Sequence, residues 1–425
     1  MSASETRRRV LVLAPGELGE RLVGPEIRAL EFAKALRGHY EVTLAAQREH
    51  EGEWDGIPVV PFTRRRLLRE AMRHDIVIGA CLPPYLLALR QMSRFVAVAD
   101  LYDPHEQELA TLQAGRERSR ELRARSAIQT LQLRDTDVVL CASQHQRTEL
   151  LRSARESLGA GAEGLDPVVV PFGIPDPPPP TGSHRLRERF PQIAEEDTLV
   201  LWWGSVWRWL DAETPVRAFA HLAAKRPDVK LVITAGRPPN KSAEERFDAT
   251  EEMRLLAGEL GVLGSSVFFF DEWIPYEQRY DYLREADIGV TLHRHASEAR
   301  LAARARYMDY LSGELPCVLG RGDETAEELG AGGFATLLDD PDPEALAGVL
   351  LTLVDDPPRL AAARAAGKLL AAERHWSAVG AKLRSALADA SREPTTIKRK
   401  ISLAPVGGAC AYYAKSLVNR IPLPG

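Results

Sequence analysis

Short aliphatic runs alternate with amphipathic segments along the first part of the chain. Residues 10–14 are all apolar and end at Pro15-Gly16, which is typical of a buried strand. Pro25 then opens a segment whose apolar residues recur at helical spacing. Similar strand-like runs follow at 41–45, 75–79, 95–99 and 137–142. Because strands that alternate with helices form parallel βαβ units, the pattern predicts an α/β fold with a doubly wound sheet.

A proline-rich segment interrupts this pattern before it starts again. Residues 171–183 contain six prolines and two glycines, which predicts a semi-rigid linker rather than a helix or a central strand. Strand-like runs then recur at 199–203, 230–234, 267–270, 288–292 and 316–319, with a helix predicted at 214–225. A chain of 425 residues also exceeds the usual size of one hydrophobic core. We therefore predict an N-terminal domain at 1–172, a linker at 173–183, a C-terminal domain at 184–390 and a tail at 391–425.

Composition narrows the class of protein. Hydrophobic residues make up 45% of the chain, which excludes global disorder, and a net charge of −5 argues against a nucleic-acid partner. The four cysteines form no CxxC pair, so they predict neither a zinc site nor a disulfide framework but reduced thiols. The polar start MSASETRRRV lacks the apolar core of a signal peptide. These features predict a cytoplasmic protein.

The tail from Glu393 onward differs from the rest of the chain. It mixes the basic residues 398–400 with apolar and aromatic ones such as Tyr412 and Tyr413. One interpretation is a closing helix and tail that pack on the body of the protein and return to the N-terminal domain. The other is a peripheral membrane contact through a basic amphipathic segment.

Two loops of the N-terminal half carry candidate site residues. Ligands of doubly wound sheets bind at the carboxyl ends of the strands, so the residues that follow each strand are the ones to inspect. Gly16 begins a glycine-containing loop at 15–26 that leads into a helix, and such loops expose amides to a ligand; a flexible connection is the alternative. Asp103 and His105 lie in VADLYDPHEQE, where a carboxylate or an imidazole can act as general base on an acceptor hydroxyl. The alternative there is a solvated loop.

A tryptophan-rich segment of the C-terminal half follows its first predicted strand. In WWGSVWRWLDAETP, Gly204 and Ser205 can expose backbone amides and Arg208 can supply charge for a diphosphate. Four of the chain's seven tryptophans lie here, and aromatic packing between loops is the alternative interpretation.

The segment from Leu292 to Asp323 carries the strongest pattern. Glu298 precedes a predicted helix that contains Arg304, Arg306 and Asp309 and ends at Gly313. A carboxylate can bind ribose hydroxyls and arginines can bind a diphosphate, so the pattern suits a nucleotide-sugar. A solvated charged helix is the alternative.

These segments resemble the GT-B retaining glycosyltransferases of family 4. The resemblance rests on GPEIRALEFAKAL, DLYDP, WWGSVWRWLD and FFFDEWIPYEQRYDYLREADIGVTL, followed by EARLAARARYMDYLSGELPCV. It implies two Rossmann-like domains that face a central cleft, with the acceptor on the N-terminal side. It further implies that Asp309 binds ribose, that Arg208 and Arg304 hold the diphosphate, and that Glu298 contacts the donor sugar. The base pocket would be lined by Phe270, Glu272, Trp273 and Ile274.

The resemblance implies a metal-independent hexosyltransferase without a cofactor. Such an enzyme would move sugar from a nucleotide diphosphate sugar to an acceptor glycan or small molecule with retention, for example in polysaccharide biosynthesis. Two departures keep other functions open. Glu298 and Asp309 are separated by ten residues where the family has seven, and no lysine follows Arg208 nearby. The alternatives are a non-catalytic module that binds a sugar nucleotide or a protein, and an epimerase or phosphorylase on the same fold.

Overall fold

The chain forms two compact units in a computed structural model. The structure describes residues 7–20, 22–48, 50–112, 115–236, 247–294, 296–388 and 390. The tail predicted at 391–425, with its two interpretations, lies outside these residues. Of the described residues, those up to Phe172 and those from Trp376 onward form one unit, and those from Gly173 to His375 form the other.

The N-terminal unit is built on a sheet of eight strands in the order β3-β4-β2-β1-β5-β6-β7-β8. All neighbouring strands are parallel except β3 and β4, which form an antiparallel hairpin. The strands are β1 Arg9–Leu13, β2 Glu41–Ala46, β3 Gly52–Trp54, β4 Ile57–Pro61, β5 Ile76–Gly79, β6 Val96–Asp100, β7 Val138–Cys141 and β8 Val168–Val169.

Helices connect these strands and cover the sheet. They are Gly24–Leu36, Arg64–Ala71, Pro84–Arg90, His105–Ala110, Arg116–Asp135, Gln144–Leu158 and Trp376–Ala388, with a 3-10 turn at Gly159–Ala162. Strands β1, β5 and β6 are buried almost throughout, as aliphatic runs covered on both faces must be.

The helix Trp376–Ala388 corrects the predicted boundary of the C-terminal domain at residue 390. It belongs to the N-terminal unit, where the Trp376 ring meets the Phe32 ring edge-on at 5.9 Å. Gly380 lets the helix approach closely, since a Cβ there would lie 2.8 Å from the Cβ of Ala35. Its buried apolar residues, at helical spacing, are Trp376, Val379, Leu383 and Leu387.

The C-terminal unit contains a fully parallel sheet of six strands in the order β11-β10-β9-β12-β13-β14. The strands are β9 Thr198–Trp202, β10 Val229–Thr234, β11 Val267–Phe270, β12 Ile288–Thr291, β13 Cys317–Gly320 and β14 Ala335–Leu338. The helices are Arg185–Arg189, Glu213–Leu222, Thr250–Glu259, Arg279–Leu283, Ala296–Leu301, Ala305–Ser312, Glu324–Ala331, Pro343–Val354 and Pro357–Arg374, with a 3-10 turn at Tyr276–Gln278.

The predicted α/β class is confirmed, because both sheets are parallel apart from the β3–β4 hairpin and helices alternate with strands. One predicted helix is wrong in its extent. The segment from Glu298 to Asp309 lies on two helices, Ala296–Leu301 and Ala305–Ser312, rather than on one continuous helix that Glu298 precedes. The break falls where the backbone of Arg304 is extended, with ψ near 105°, and its side chain turns toward buried carboxylates. Within the described residues, no helix is long and apolar enough to cross a membrane.

Candidate functional site

The carboxyl edge of the C-terminal sheet brings together loops that are far apart in the sequence. β9 lies between β10 and β12, so the chain leaves β9 toward one side of the sheet and later returns to β12 on the other side. In doubly wound sheets, ligands bind outside the carboxyl ends of the strands at this change of direction. The loops that follow β9 and β12 are therefore the natural place for a ligand.

The loop after β9 turns at Gly204, whose φ of +81° favours glycine. The Gly204 amide donates to Thr234 Oγ1 at 2.7 Å, and the Trp203 amide donates to the Tyr310 hydroxyl at 3.1 Å. The expectation that the Gly204 amide is available to a ligand is corrected, because protein groups already satisfy it. Gly204 contributes the turn that carries the chain past the strand end. The Ser205 hydroxyl donates to the carbonyl oxygen of Gly236 at 3.3 Å and so fixes this loop to the one after β10.

Asp309 lies beside this loop, on the helix Ala305–Ser312. One carboxylate oxygen accepts from Trp203 Nε1 at 3.0 Å and the other accepts from Arg279 Nε at 3.1 Å. Burial raises the pKa of the Asp309 carboxyl, while Arg279 and Trp203 oppose that shift. The side chain keeps 20% of its surface exposed. Each oxygen retains a lone pair, so Asp309 is held in place and can still accept a ligand hydroxyl.

Arg306 reaches the same loop from the first turn of that helix. Its Nη2 donates to the carbonyl oxygen of Ser205 at 3.0 Å, and its guanidinium carbon lies 5.5 Å from the centre of the Trp202 ring. A Cβ on Gly204 would lie 3.5 Å from Nη2. The guanidinium is thus packed directly against the turn after β9.

The structure assigns other partners to the two arginines that the sequence predicted for the diphosphate. Arg208 pairs with Glu252 on the surface, in a bidentate contact between half-exposed and exposed side chains. Arg304 donates to Glu298 Oε2 at 2.6 Å, and its Nε lies 3.6 Å from Asp323 Oδ2. Carboxylates from other segments therefore already bind both guanidinium groups.

Glu298 belongs to the same buried ion cluster. Only 1% of its side chain is exposed, compared with 6% for Arg304 and none for Asp323. One oxygen of Asp323 also caps the helix Glu324–Ala331. To contact a donor sugar as predicted, Glu298 would have to give up its buried ion pair with Arg304.

The loop after β11 contains Trp273 and Ile274, two of the residues that the resemblance implied for the base pocket. Trp273 and Ile274 are half-buried, and Trp273 Nε1 is buried without a hydrogen-bond partner among the described residues. Gly236 allows this loop to pack against the end of β10, because a Cβ there would lie 2.5 Å from the carbonyl oxygen of Glu272. These contacts form one wall beside the strand ends.

In the N-terminal unit, the Asp103–His105 pair follows β6. His105 Nε2 lies 3.3 Å from Asp103 Oδ2, and its Nδ1 lies 3.6 Å from Glu108 Oε2. Almost half of the His105 side chain is exposed. One ligand atom from each of the three residues lies within 4.8 Å of the others. The arrangement gives His105 an acidic partner that can orient it, as a general base needs.

Gly16 lies against Glu26 after β1. A Cβ on Gly16 would fall 2.2 Å from Glu26 Oε1, and the Gly16 carbonyl oxygen accepts from the Gln47 amide at 2.9 Å. Glu26 is 3% exposed. The glycine therefore admits a buried carboxylate, which places negative charge beside the loop that the sequence predicted for the donor.

Comparisons with known proteins give no sequence match but a clear structural one. No protein-family model matches the chain, and no curated protein does. HepE from Anabaena, solved with UDP and glucose, aligns at 15% identity over 90% of this chain and 100% of its own, with a TM-score of 0.64. WaaG, a glycosyltransferase involved in lipopolysaccharide biosynthesis, aligns at 17% identity over 89% and 100%, with a TM-score of 0.64.

Sucrose-phosphate synthase from Thermosynechococcus elongatus aligns at 15% identity over 90% of this chain and 98% of its own, with a TM-score of 0.64. The chain has the GT-B fold. The predicted fold is thereby confirmed. At 15–17% identity the likeness concerns the fold, so the activity of this GT-B chain has to be argued from its own residues.

Sequence reasoning missed two residues of the GT-B chain's candidate site. Arg279 was not singled out, although it holds Asp309, because it lies 30 residues away on another helix. Arg306 was noted among the arginines of its segment but given no role. Its spacing of three residues from Asp309 was the available signal, since residues three apart share a helix face.

Proposed function

We propose that the protein transfers a glycosyl group from a nucleoside diphosphate sugar to an acceptor hydroxyl. The observation that supports this most is that Asp309 and Arg306 lie on one helix, beside the turn after β9. A carboxylate that accepts ribose hydroxyls and a guanidinium of opposite charge suit a nucleoside diphosphate. The solved complex of HepE with UDP and glucose supports the same class of donor.

Asp309 is the proposed ribose ligand. Trp203 and Arg279 fix its carboxylate from two sides, so a ligand hydroxyl would meet an acceptor that is already oriented. Trp273 and Ile274 are the proposed contacts of the nucleobase. The base would stack on the indole ring of Trp273, and hydrogen bonds around the base would determine which base is preferred.

The transfer is proposed to proceed with retention and without a metal. The bond between the sugar's anomeric carbon and the diphosphate breaks, the acceptor oxygen bonds to that carbon, and the departing phosphate oxygen takes the acceptor's proton. Preorganised positive groups can stabilise the departing diphosphate in place of a cation. Support comes from Asp309, Glu298 and Asp323, whose carboxylates each lie beside the guanidinium group of an arginine.

Asp103 and His105 are the proposed residues for the acceptor. Their 3.3 Å contact can hold the imidazole in one orientation while its exposed half remains accessible to a hydroxyl group. We propose an acceptor glycan or a small hydroxylated molecule, and a cytoplasmic location.

Thermal-shift and turnover assays with UDP-, GDP-, ADP- and dTDP-sugars test the proposal. A donor at about 100 times its dissociation constant should stabilise the protein by about 2.7 kcal/mol. Asp309→Asn should remove most of the ligand-induced shift, and Asp355→Asn, which changes an exposed acid paired with Arg226, should not. Trp203→Phe provides a second probe, since it loses one contact to Asp309 without changing any charge.

The outcomes separate the proposed enzyme from its alternative. Slow hydrolysis of one donor without acceptor, together with the loss of the shift in Asp309→Asn, supports the transferase. Tight binding of a donor without any hydrolysis or transfer supports a non-catalytic sugar-nucleotide-binding module. No shift with any nucleotide sugar would contradict both.

A further inference from the structure

Arg306 differs from Arg208, Arg279 and Arg304 in having no acid partner among the described residues. Arg208, Arg279 and Arg304 each pair with a carboxylate. Among the residues that the structure describes, Arg306 forms no ion pair, and its one hydrogen bond runs from Nη2 to the carbonyl oxygen of Ser205. The charge of this guanidinium is therefore not neutralised within the described part of the chain.

The second guanidinium nitrogen of Arg306 is buried and unsatisfied. Nη1 has no hydrogen-bond partner among the described residues, although it is shielded from solvent. A buried donor without an acceptor costs free energy, and a buried unpaired charge costs more. Burial lowers the pKa of the guanidinium to about 10, and the nearby charge of Arg304 acts in the same direction. Among the described residues, Asp309 offsets part of this effect through its charge, but no carboxylate forms an ion pair with the guanidinium.

The position of Arg306 indicates which anion would fit. It lies at the change of direction between β9 and β12 and in the first turn of the helix Ala305–Ser312. Helix N-termini favour negative charge, most of all in the first turn. Asp309 lies one turn further along on the same face, and side chains at this spacing have Cβ atoms about 5–6 Å apart. A ligand that places hydroxyls on Asp309 would thus bring an adjoining phosphate to Arg306.

We propose that Arg306 supplies the main positive charge that binds the donor's diphosphate, in place of Arg208 and Arg304. This inference rests on the proposed function, because the diphosphate belongs to the nucleotide donor. Nη1 would donate to a phosphate oxygen, and Nη2 would keep its bond to Ser205 and hold the guanidinium against the turn.

The contribution of Arg306 to diphosphate binding can be isolated by comparing the binding of a nucleoside with the binding of its diphosphate. Dissociation constants are measured by calorimetry for the nucleoside and the nucleoside diphosphate of the preferred base. Wild-type protein should bind the diphosphate more tightly. Arg306→Gln should remove about 10- to 100-fold of that preference and change nucleoside binding by no more than about threefold, as expected for loss of a charged hydrogen bond. Arg306→Lys should retain part of the preference, because it keeps the charge but loses the planar fork.

Matched variants identify which arginine binds the diphosphate. Arg217→Gln removes one charge from an exposed pair with Glu213 and should leave the preference unchanged. Arg208→Gln tests the residue that the sequence indicated. If Arg208→Gln loses the preference and Arg306→Gln keeps it, the inference is wrong while the proposed function stands. If the wild-type protein binds neither nucleoside nor diphosphate, the proposed function fails and the inference fails with it.

The stability of the unliganded protein separates binding from a structural role. Arg306→Met removes a buried unpaired charge, so its melting temperature without ligand should equal or exceed that of the wild-type protein, while the diphosphate preference is lost. A residue that only anchors the Ser205 loop would show the reverse. Its replacement would lower the melting temperature and leave the preference intact, and that result would overturn the inference.

Discussion

Arg28 and Asp100 form a bidentate ion pair inside the N-terminal unit. Arg28 Nε donates to Asp100 Oδ2 at 2.6 Å and Nη2 donates to Oδ1 at 2.8 Å, with 1% and 6% of the side chains exposed. Arg28 also donates to the carbonyl oxygens of Val170 and Pro171. The pair therefore joins the helix Gly24–Leu36, the end of β6 and the segment that follows β8.

Removal of one partner from this pair should strongly destabilise the N-terminal unit. Arg28→Ala would leave Asp100 buried without a compensating charge and two carbonyl oxygens without donors, at a cost of about 3–5 kcal/mol. Chemical denaturation that follows the N-terminal transition measures the change. Arg217→Ala, which breaks an exposed pair, should leave the unfolding midpoint nearly unchanged. Equal midpoints for Arg28→Ala and wild type would contradict the assignment.

The Arg28–Asp100 pair also shows where sequence reasoning succeeds and where it ends. The strand β6 was predictable from its aliphatic run, because a short apolar segment of this kind is typical of a strand that is covered on both faces of a parallel sheet. The role of Asp100 was not, since its partner lies 72 residues away. A charged residue after a strand has the same appearance in the sequence whether it binds a ligand or a buried arginine.

The candidate donor site was also predictable only in part, because some of its residues are defined by partners that are distant in the sequence. Asp309 could be selected from its place before Gly313 and Pro316, which are local signals. The choice among Arg208, Arg304 and Arg306 could not, because Glu252, Glu298 and Asp323 decide which charges are neutralised.

Four of the described strands were not predicted from the sequence: β3, β8 and β14 lie at the edges of the sheets, and β4 carries prolines at 58 and 61 that interrupt its apolar pattern. β3 has three residues and β8 has two, so neither offers an alternating pattern long enough to recognise. They form through pairing with β4 and β7, which is a tertiary effect.

His293 should make the stability of the C-terminal unit depend on pH. Burial lowers the pKa of its imidazole to about 4, and the charge of Arg304 adds to that shift while Asp211 opposes it. An unfolded histidine titrates near 6.5, so the unfolded state binds more protons between pH 4 and 6.5. The contribution of neutral His293 is complete above pH 6.5 and is lost as the pH falls toward 4, by about 3 kcal/mol at most.

The matched variant for this prediction is His293→Gln, with denaturation measured at several values between pH 4 and 7. Asp323 acts in the opposite direction, because burial raises its pKa to about 6 and ionisation above its unfolded value then costs stability. The difference between His293→Gln and wild type removes that contribution. A difference that stays constant across this range would show that the His293 pKa is not lowered.

Gly236 should tolerate no side chain. A Cβ would meet three backbone atoms, the carbonyl oxygen of Glu272 at 2.5 Å and the Glu272 carbonyl carbon and Trp273 Cα at 2.9 Å, so the loop after β11 would have to move. Gly236→Ala should cost about 1–3 kcal/mol through overpacking and weaken binding of the nucleobase. Gly258→Ala is the control, because the nearest atom is 4.0 Å away and alanine stabilises a helix interior by about 1 kcal/mol. Thermal melts and nucleoside titrations of both variants measure the contrast.

Variants of Arg304 test whether its ion cluster with Glu298 and Asp323 serves stability or ligand binding. Arg304→Ala would leave Glu298 and Asp323 buried without their common partner, so the C-terminal unit should lose about 3–5 kcal/mol of stability. Protonation of these carboxylates would relieve this cost. Because loss of the arginine raises the Asp323 pKa above its wild-type value of about 6, the variant should recover stability as the pH falls from neutral through this raised pKa. Arg304→Met combined with Glu298→Gln should be more stable than Arg304→Ala at neutral pH, because one buried charge is gone.

A ligand-binding role for Arg304 would give the opposite pattern, with near-normal stability in Arg304→Ala and a reduced preference for nucleoside diphosphate over nucleoside.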